Sequence, residues 1–132
     1  LQLEHTLKYT LEGDNYSEID EKDICRYLGI PTQKQFNDII SRLLNRRLKD
    51  NVTKLSEDHS ANMYSLVELV RMLTVWTIEQ KKLTIGQKKK IIENLSEIDF
   101  RLKNSMGESD IQIYALASIF LGLGQLMEKA GL

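Results

Sequence analysis

An all-α fold is predicted by three observations. Proline occurs once, at Pro31, in 132 residues; helix-forming residues place apolar side chains at spacings of three and four along most of the chain; and no segment reads as a β-hairpin. Hydrophobic residues make up 42% and charged residues 28%, the balance of a soluble globular protein. The length suits one domain with room for a short piece of a neighbour. The expected architecture is a compact bundle of about five to six helices.

Leu3, Leu7 and Leu11 put one apolar stripe on a short first helix, which Gly13-Asp14-Asn15 breaks. The run from Glu12 to Asp23 holds six acids against one lysine and reads as an exposed linker. Asp20 is placed to cap a helix over Glu21 to Leu28. Gly29 can end that helix in a left-handed conformation, and Pro31 stops its continuation. Thr32 and Gln35 have the spacing of a capping box, in which the two side chains bond each other's backbone amides. Phe36, Ile39, Ile40, Leu43 and Leu44 follow on one amphipathic helix. Leu48, Val52 and Leu55 continue the period after Arg46-Arg47, either as the same helix bent or as a separate one, and 58–62 reads as a polar break. From Tyr64 to Ile78 the polar residues wind around the helix, so it should be covered on most sides. Thr84 and Gln87 repeat the capping-box spacing ahead of Ile91, Leu95, Ile98 and Leu102, on a long helix with a lysine-rich outer face that should end near Gly107. The last helix is expected from about Ser109 to Lys129.

That last helix carries no charge between Ile113 and Leu123, more apolar surface than one domain core usually takes from a terminal helix. Two readings follow. Either it is a fully buried central helix, or one face meets the domain's own core and another meets a partner subunit. The run from Ile111 to Met127 is judged too short, and too interrupted by Gln112 and Gln125, for a membrane span of about 20 residues.

Several chemistries find no support. The formal net charge of −1 generates no overall field toward nucleic acid or an anionic membrane. None of the seven glycines is followed by lysine, so there is no phosphate-binding loop. Gly122-Leu123-Gly124 lies within a helical run and reads as close helix packing, not a dinucleotide site. His5, His59 and Cys25 share no metal-ligand spacing, and Cys25 reads as a half-buried helix residue. No catalytic, cofactor-binding or metal residues are therefore nominated. Asp99, beside the apolar stripe of its helix, is placed either to pair with Lys103 one turn on or to make a polar contact across helices. A single thiol suits a reducing, intracellular compartment, and a start at Leu1 without a charged-then-apolar leader is what an excised fragment would show. Two basic clusters remain. Arg42, Arg46, Arg47 and Lys49 are nominated for weak phosphate contact; Lys81, Lys82, Lys88, Lys89 and Lys90 form the second, and both read first as solvated faces.

The segment Ile98-Asp99-Phe100-Arg101-Leu102, with Gly107, Ile111-Gln112-Ile113 and Leu116 after it, resembles the end of the small subunits of replication factor C. Earlier parts agree in order: Ile19-Asp20-Glu21 through Cys25, Gly29 and Pro31 is similar to the start of that family's C-terminal collar, and Tyr64 to Leu69 to its central helix. The likeness covers about Ile19 to Phe120. The turn from Arg101 to Gln112 is a residue longer than usual, and Ser109 stands where asparagine is common. The resemblance implies a collar domain over 17–132, preceded over 1–16 by the tail of a lid domain and a linker. It also implies an upstream ATPase domain of the AAA+ class that holds ATP and Mg, so that no cofactor and no catalysis belong to this fragment. The expected role is subunit assembly of a pentameric sliding-clamp loader in DNA replication. Partners would be the other loader subunits through collar contacts, and the clamp and primer-template DNA through the whole complex, with no membrane. The nucleus is the implied compartment, or the cytoplasm if the source is not eukaryotic. Tyr114, Leu116, Ala117, Ile119, Phe120 and Leu121, with Leu66, Leu69 and Leu73, are the expected interface residues. The alternatives are the collar of a bacterial polymerase clamp-loader subunit and a helical nucleic-acid-binding domain that uses the basic clusters.

Overall fold

Helix ends in this chain are written in local chemistry, and the computed structural model, which describes residues 21–45, 47–104 and 109–129, bears that out. Six helices are described: α1 (Glu21–Leu28), α2 (Gln33–Asn45), α3 (Leu48–Ser60), α4 (Leu66–Glu79), α5 (Ile85–Lys103) and α6 (Ser109–Lys129). No strand occurs among the described residues. The expected Leu3 to Leu11 stripe, the Asp20 cap and the stop at Gly107 lie outside them.

Gly29 closes α1 at φ +70°, a region that costs a residue with a Cβ about 1–2 kcal/mol. The Ile30 amide then donates to the Cys25 carbonyl at 2.9 Å and the Gly29 amide to that of Arg26 at 3.3 Å, the paired bonds of a Schellman motif. Both capping boxes form. Thr32 Oγ1 accepts from the Gln35 amide at 3.1 Å while Gln35 Oε1 accepts from the Thr32 amide at 2.8 Å; Thr84 and Gln87 repeat the exchange at 3.1 and 2.9 Å. Each box satisfies two amides that a helix start would otherwise leave to water.

The apolar run after Arg46-Arg47 is a separate helix, because Arg47 is extended at φ −68°, ψ 149°. The expected polar break at 58–62 is corrected: α3 continues through Ser60 and buries Asp58. The break is confined to Ala61 and Asn62, where Asn62 takes φ 53° and a second Schellman pair runs from Met63 to Asp58 and from Asn62 to His59. Asparagine tolerates this conformation better than most residues with a Cβ.

Two helix pairs, α2 with α3 and α4 with α5, are joined by α6, which packs on α2, α3 and α5. A single core runs through all five, built on Leu43, Leu55, Leu69, Leu73, Leu95 and Phe120. Its polar members are satisfied: the Thr77 hydroxyl donates to the Leu73 carbonyl at 2.8 Å, and among the described residues no buried side-chain nitrogen or oxygen lacks a partner. By contrast α1 buries only Ile24, and is tied down by the Ser65 amide donating to the Gly29 carbonyl at 2.8 Å.

Contrary to the expectation from 111–127, α6 reaches the length and apolarity of a membrane crossing over Ser109–Glu128, with a mean hydropathy of 1.3. The helix is 21 residues long, since Ser109, Asp110, Glu128 and Lys129 extend the apolar run. Here it serves as the joint of the bundle.

Candidate functional site

The terminal helix presents two faces of nearly the same composition to different surroundings. Gln112, Ile113, Leu116, Ala117, Phe120 and Leu123 recur at spacings of three and four and are buried; the Phe120 ring lies 6.1 Å from that of Trp76 on α4, tilted by 57°. On the other side Ile111, Tyr114, Ser118, Gly122 and Leu126 follow the same period. Ile111 is 58% exposed, Tyr114 55% and Leu126 40%. Ser118 has turned its hydroxyl onto the Tyr114 carbonyl at 2.9 Å, which removes a donor from that face. From Ile111 to Met127 the helix carries no charge. Phe100, 54% exposed near the end of α5, adds a further apolar group beside the α5–α6 connection.

The two glycines in this helix divide the same way. A Cβ on Gly124 would overlap the Leu44 carbonyl oxygen of α2, so α6 and the end of α2 approach as closely as they do only because the residue is glycine. A Cβ on Gly122 would meet nothing within 4 Å. The expectation of close helix packing holds for Gly124 and fails for Gly122, which sits on the open face.

Of the nine residues nominated from the sequence for subunit contact, six lie in the domain's own core: Leu66, Leu69, Leu73, Leu116, Ala117 and Phe120. They are corrected to packing residues, because a side chain already closed off by α4, α5 and α6 has no area left for a partner. Tyr114 is exposed, and Ile119 and Leu121 are partly so. Ile111, Gly122 and Leu126 on the same side of α6, and Phe100 on α5, are exposed but were not nominated. For the three on α6 the signal was present as the second phase of the helical period, but a run apolar on all sides does not say which phase faces inward.

The first basic cluster is also dismantled. Arg42 reaches the buried Asp58 at 4.0 Å and Lys54 reaches it at 3.3 Å. Tyr64 donates its hydroxyl to the same carboxylate at 2.9 Å. Burial first, and then the hydrogen bond and charge of Asp58, push the Tyr64 phenol far above its usual range, against a smaller opposing pull from Arg42. This group therefore locks α2, α3 and the start of α4 together, and withdraws Arg42 from phosphate contact. Arg47 and Lys49 are exposed but stand beside Asp50, and Arg46 lies outside the described residues. Cys25 is half-buried, and burial followed by the charge of Glu21 raises its thiol pKa, which opposes thiolate chemistry. Asp99 pairs with Lys103 at 2.9 Å as its spacing predicts.

A family model described as the replication factor C C-terminal domain matches residues 31–118, two thirds of the 132-residue chain. The chain belongs to this family. None of the curated proteins compared with it matches. On this replication factor C domain the match runs from Pro31, directly after α1, to Ser118 in the middle of α6, and so takes in α2 to α5 and the first half of α6. It makes the chain the non-catalytic C-terminal domain of a clamp-loader subunit of DNA replication, and implies association with other loader subunits. The segment with Cys25 and Gly29, and the half of α6 with Phe120 and both glycines, lie outside the matched span.

Proposed function

We propose that this replication factor C domain holds loader subunits together, and that the open face of α6 is the surface it uses. The observation that carries the reading is the uncharged stripe of Ile111, Tyr114, Gly122 and Leu126, left exposed by a helix whose opposite face completes the core. An exposed apolar patch of this kind is what an assembly surface needs: large side chains to bury, and a small residue at which a neighbouring backbone can approach. The wider reading follows from the family. The full-length protein carries an ATPase domain that holds ATP and Mg, the subunit takes its place in a pentamer acting on the sliding clamp and primer-template DNA, and the complex works in the nucleus. Residues 1–16 belong in this reading to the preceding lid domain and linker, and 17–132 to the collar.

The test is co-purification with the C-terminal domains of candidate neighbouring subunits, sized by light scattering. Tyr114→Asp and Ile111→Asp should each abolish a hetero-complex formed by the unaltered chain while leaving helical circular dichroism and the unfolding midpoint nearly unchanged. Complexes that form normally with both folded variants would rule this face out.

A further inference from the structure

Beyond assembly, we infer that the corner between α4 and α5 is a sequence-independent contact for the phosphodiester backbone of nucleic acid, carried by Lys81, Lys82, Lys89 and Lys90. From Gln80 to Ile92 there are five lysines and no acid, in a chain whose formal net charge is −1. The charge is therefore segregated and not merely abundant. The ion pairs among the described residues engage Arg42, Lys54, Arg71, Arg101 and Lys103; none involves this corner. Lys88 alone has a structural use, donating to the Ile78 carbonyl at 2.8 Å and so satisfying an acceptor near the end of α4. The other four lysines are exposed.

Their position argues against a role in stability. Lys89 and Lys90 stand in the second turn of α5; its first turn contains no acid, and neither lysine forms an ion pair with Glu93 one turn on. Like charges this close also repel one another. A polyanion would relieve that repulsion, and the six residues of α5 from Ile85 to Lys90 rise about 7.5 Å, close to two phosphate steps along one strand of duplex DNA.

The side-chain types select the class of partner. Lysines act as point charges, without the forked geometry by which arginine reads a guanine edge or a single carboxylate, and no aromatic residue between Gln80 and Ile92 offers a stacking surface. Such a surface neutralises phosphates and reads no sequence. Ile85, 86% exposed at the same corner, is the one group a phosphate backbone would not use; it makes an acidic, apolar protein segment the competing occupant that the experiment must separate.

Binding of the chain to a short fluorescent duplex would be followed by anisotropy as salt is varied. Neutralising about three to four phosphates gives a slope of log K against log salt of about −3. Replacing all four residues, as Lys81→Gln, Lys82→Gln, Lys89→Gln and Lys90→Gln, should remove most of that slope and weaken binding at low salt by at least about tenfold. The control pair Arg47→Gln and Lys49→Gln should leave the slope unchanged. An unaltered slope in the folded quadruple variant, or no binding by the parent chain at low salt, would overturn the proposal. So would tighter binding of a polyglutamate peptide of equal charge than of the duplex, which would assign the corner to an acidic protein. Co-purification with neighbouring subunits by the quadruple variant should be intact, so this surface and the α6 face succeed or fail separately.

Discussion

The inner and outer faces of α6 are built from the same residue types and meet opposite fates. Leu116 and Phe120 are sealed between helices, while Ile111 and Tyr114, one turn or so away, are more than half exposed. Gly124 admits the backbone of α2, whereas Gly122 stands clear of everything. The difference shows that burial here is decided by what the neighbouring helices bring to each face, and not by hydrophobicity. A face left apolar without being covered is available for association.

The widest separation of the two faces is expected from truncation. Phe120→Ala should cost about 3–5 kcal/mol, through lost transfer energy and a cavity beside Trp76. Tyr114→Ala should stay within about 0.5 kcal/mol, as surface changes usually do. Urea unfolding of the two variants measures this directly, and comparable losses would erase the distinction.

A smaller contrast is expected at the glycines. Gly124→Ala should destabilise by about 1–3 kcal/mol, because its methyl group meets backbone that cannot rotate away. Gly122→Ala should instead stabilise by up to about 1 kcal/mol through helix propensity alone. Opposite signs in the unfolding midpoint would sharpen the comparison, and equal signs would mean that α6 is rotated from the orientation described.

The smallest expected effect is a slope. The Tyr64 phenol is raised in the folded state, so its contribution is fully present below the unfolded value of about 10 and is lost as pH rises beyond it. Stability of the parent chain should therefore fall on the alkaline side. Tyr64→Phe should flatten that fall, and an unchanged alkaline profile would show that the Asp58 cluster does not hold the phenol neutral.

Much of the fold was legible because it is local. The capping boxes at Thr32 and Thr84, the left-handed stop at Gly29 and the Asp99–Lys103 pair each need only residues within one turn of each other. Asp58 was not legible, since a carboxylate in a polar stretch becomes a buried anchor only when Arg42 and Tyr64 arrive from other elements. The exposed face of α6 was not legible for a related reason. The excess of apolar surface on α6 could be read from composition, but its direction could not, and the large central residues proved to be core.

The amino-acid sequence by itself determined that this protein is helical, where most helices begin and end, and, through the family likeness, that it is the C-terminal domain of a clamp-loader subunit. Those properties rest on spacings and capping groups that act over a few residues. Only the tertiary structure decided which face of α6 stays open, which of its glycines is indispensable, and which basic cluster keeps its charge unpaired. Each of these depends on groups brought together from separate helices, and periodicity along a single helix carries no information about what will be packed against it.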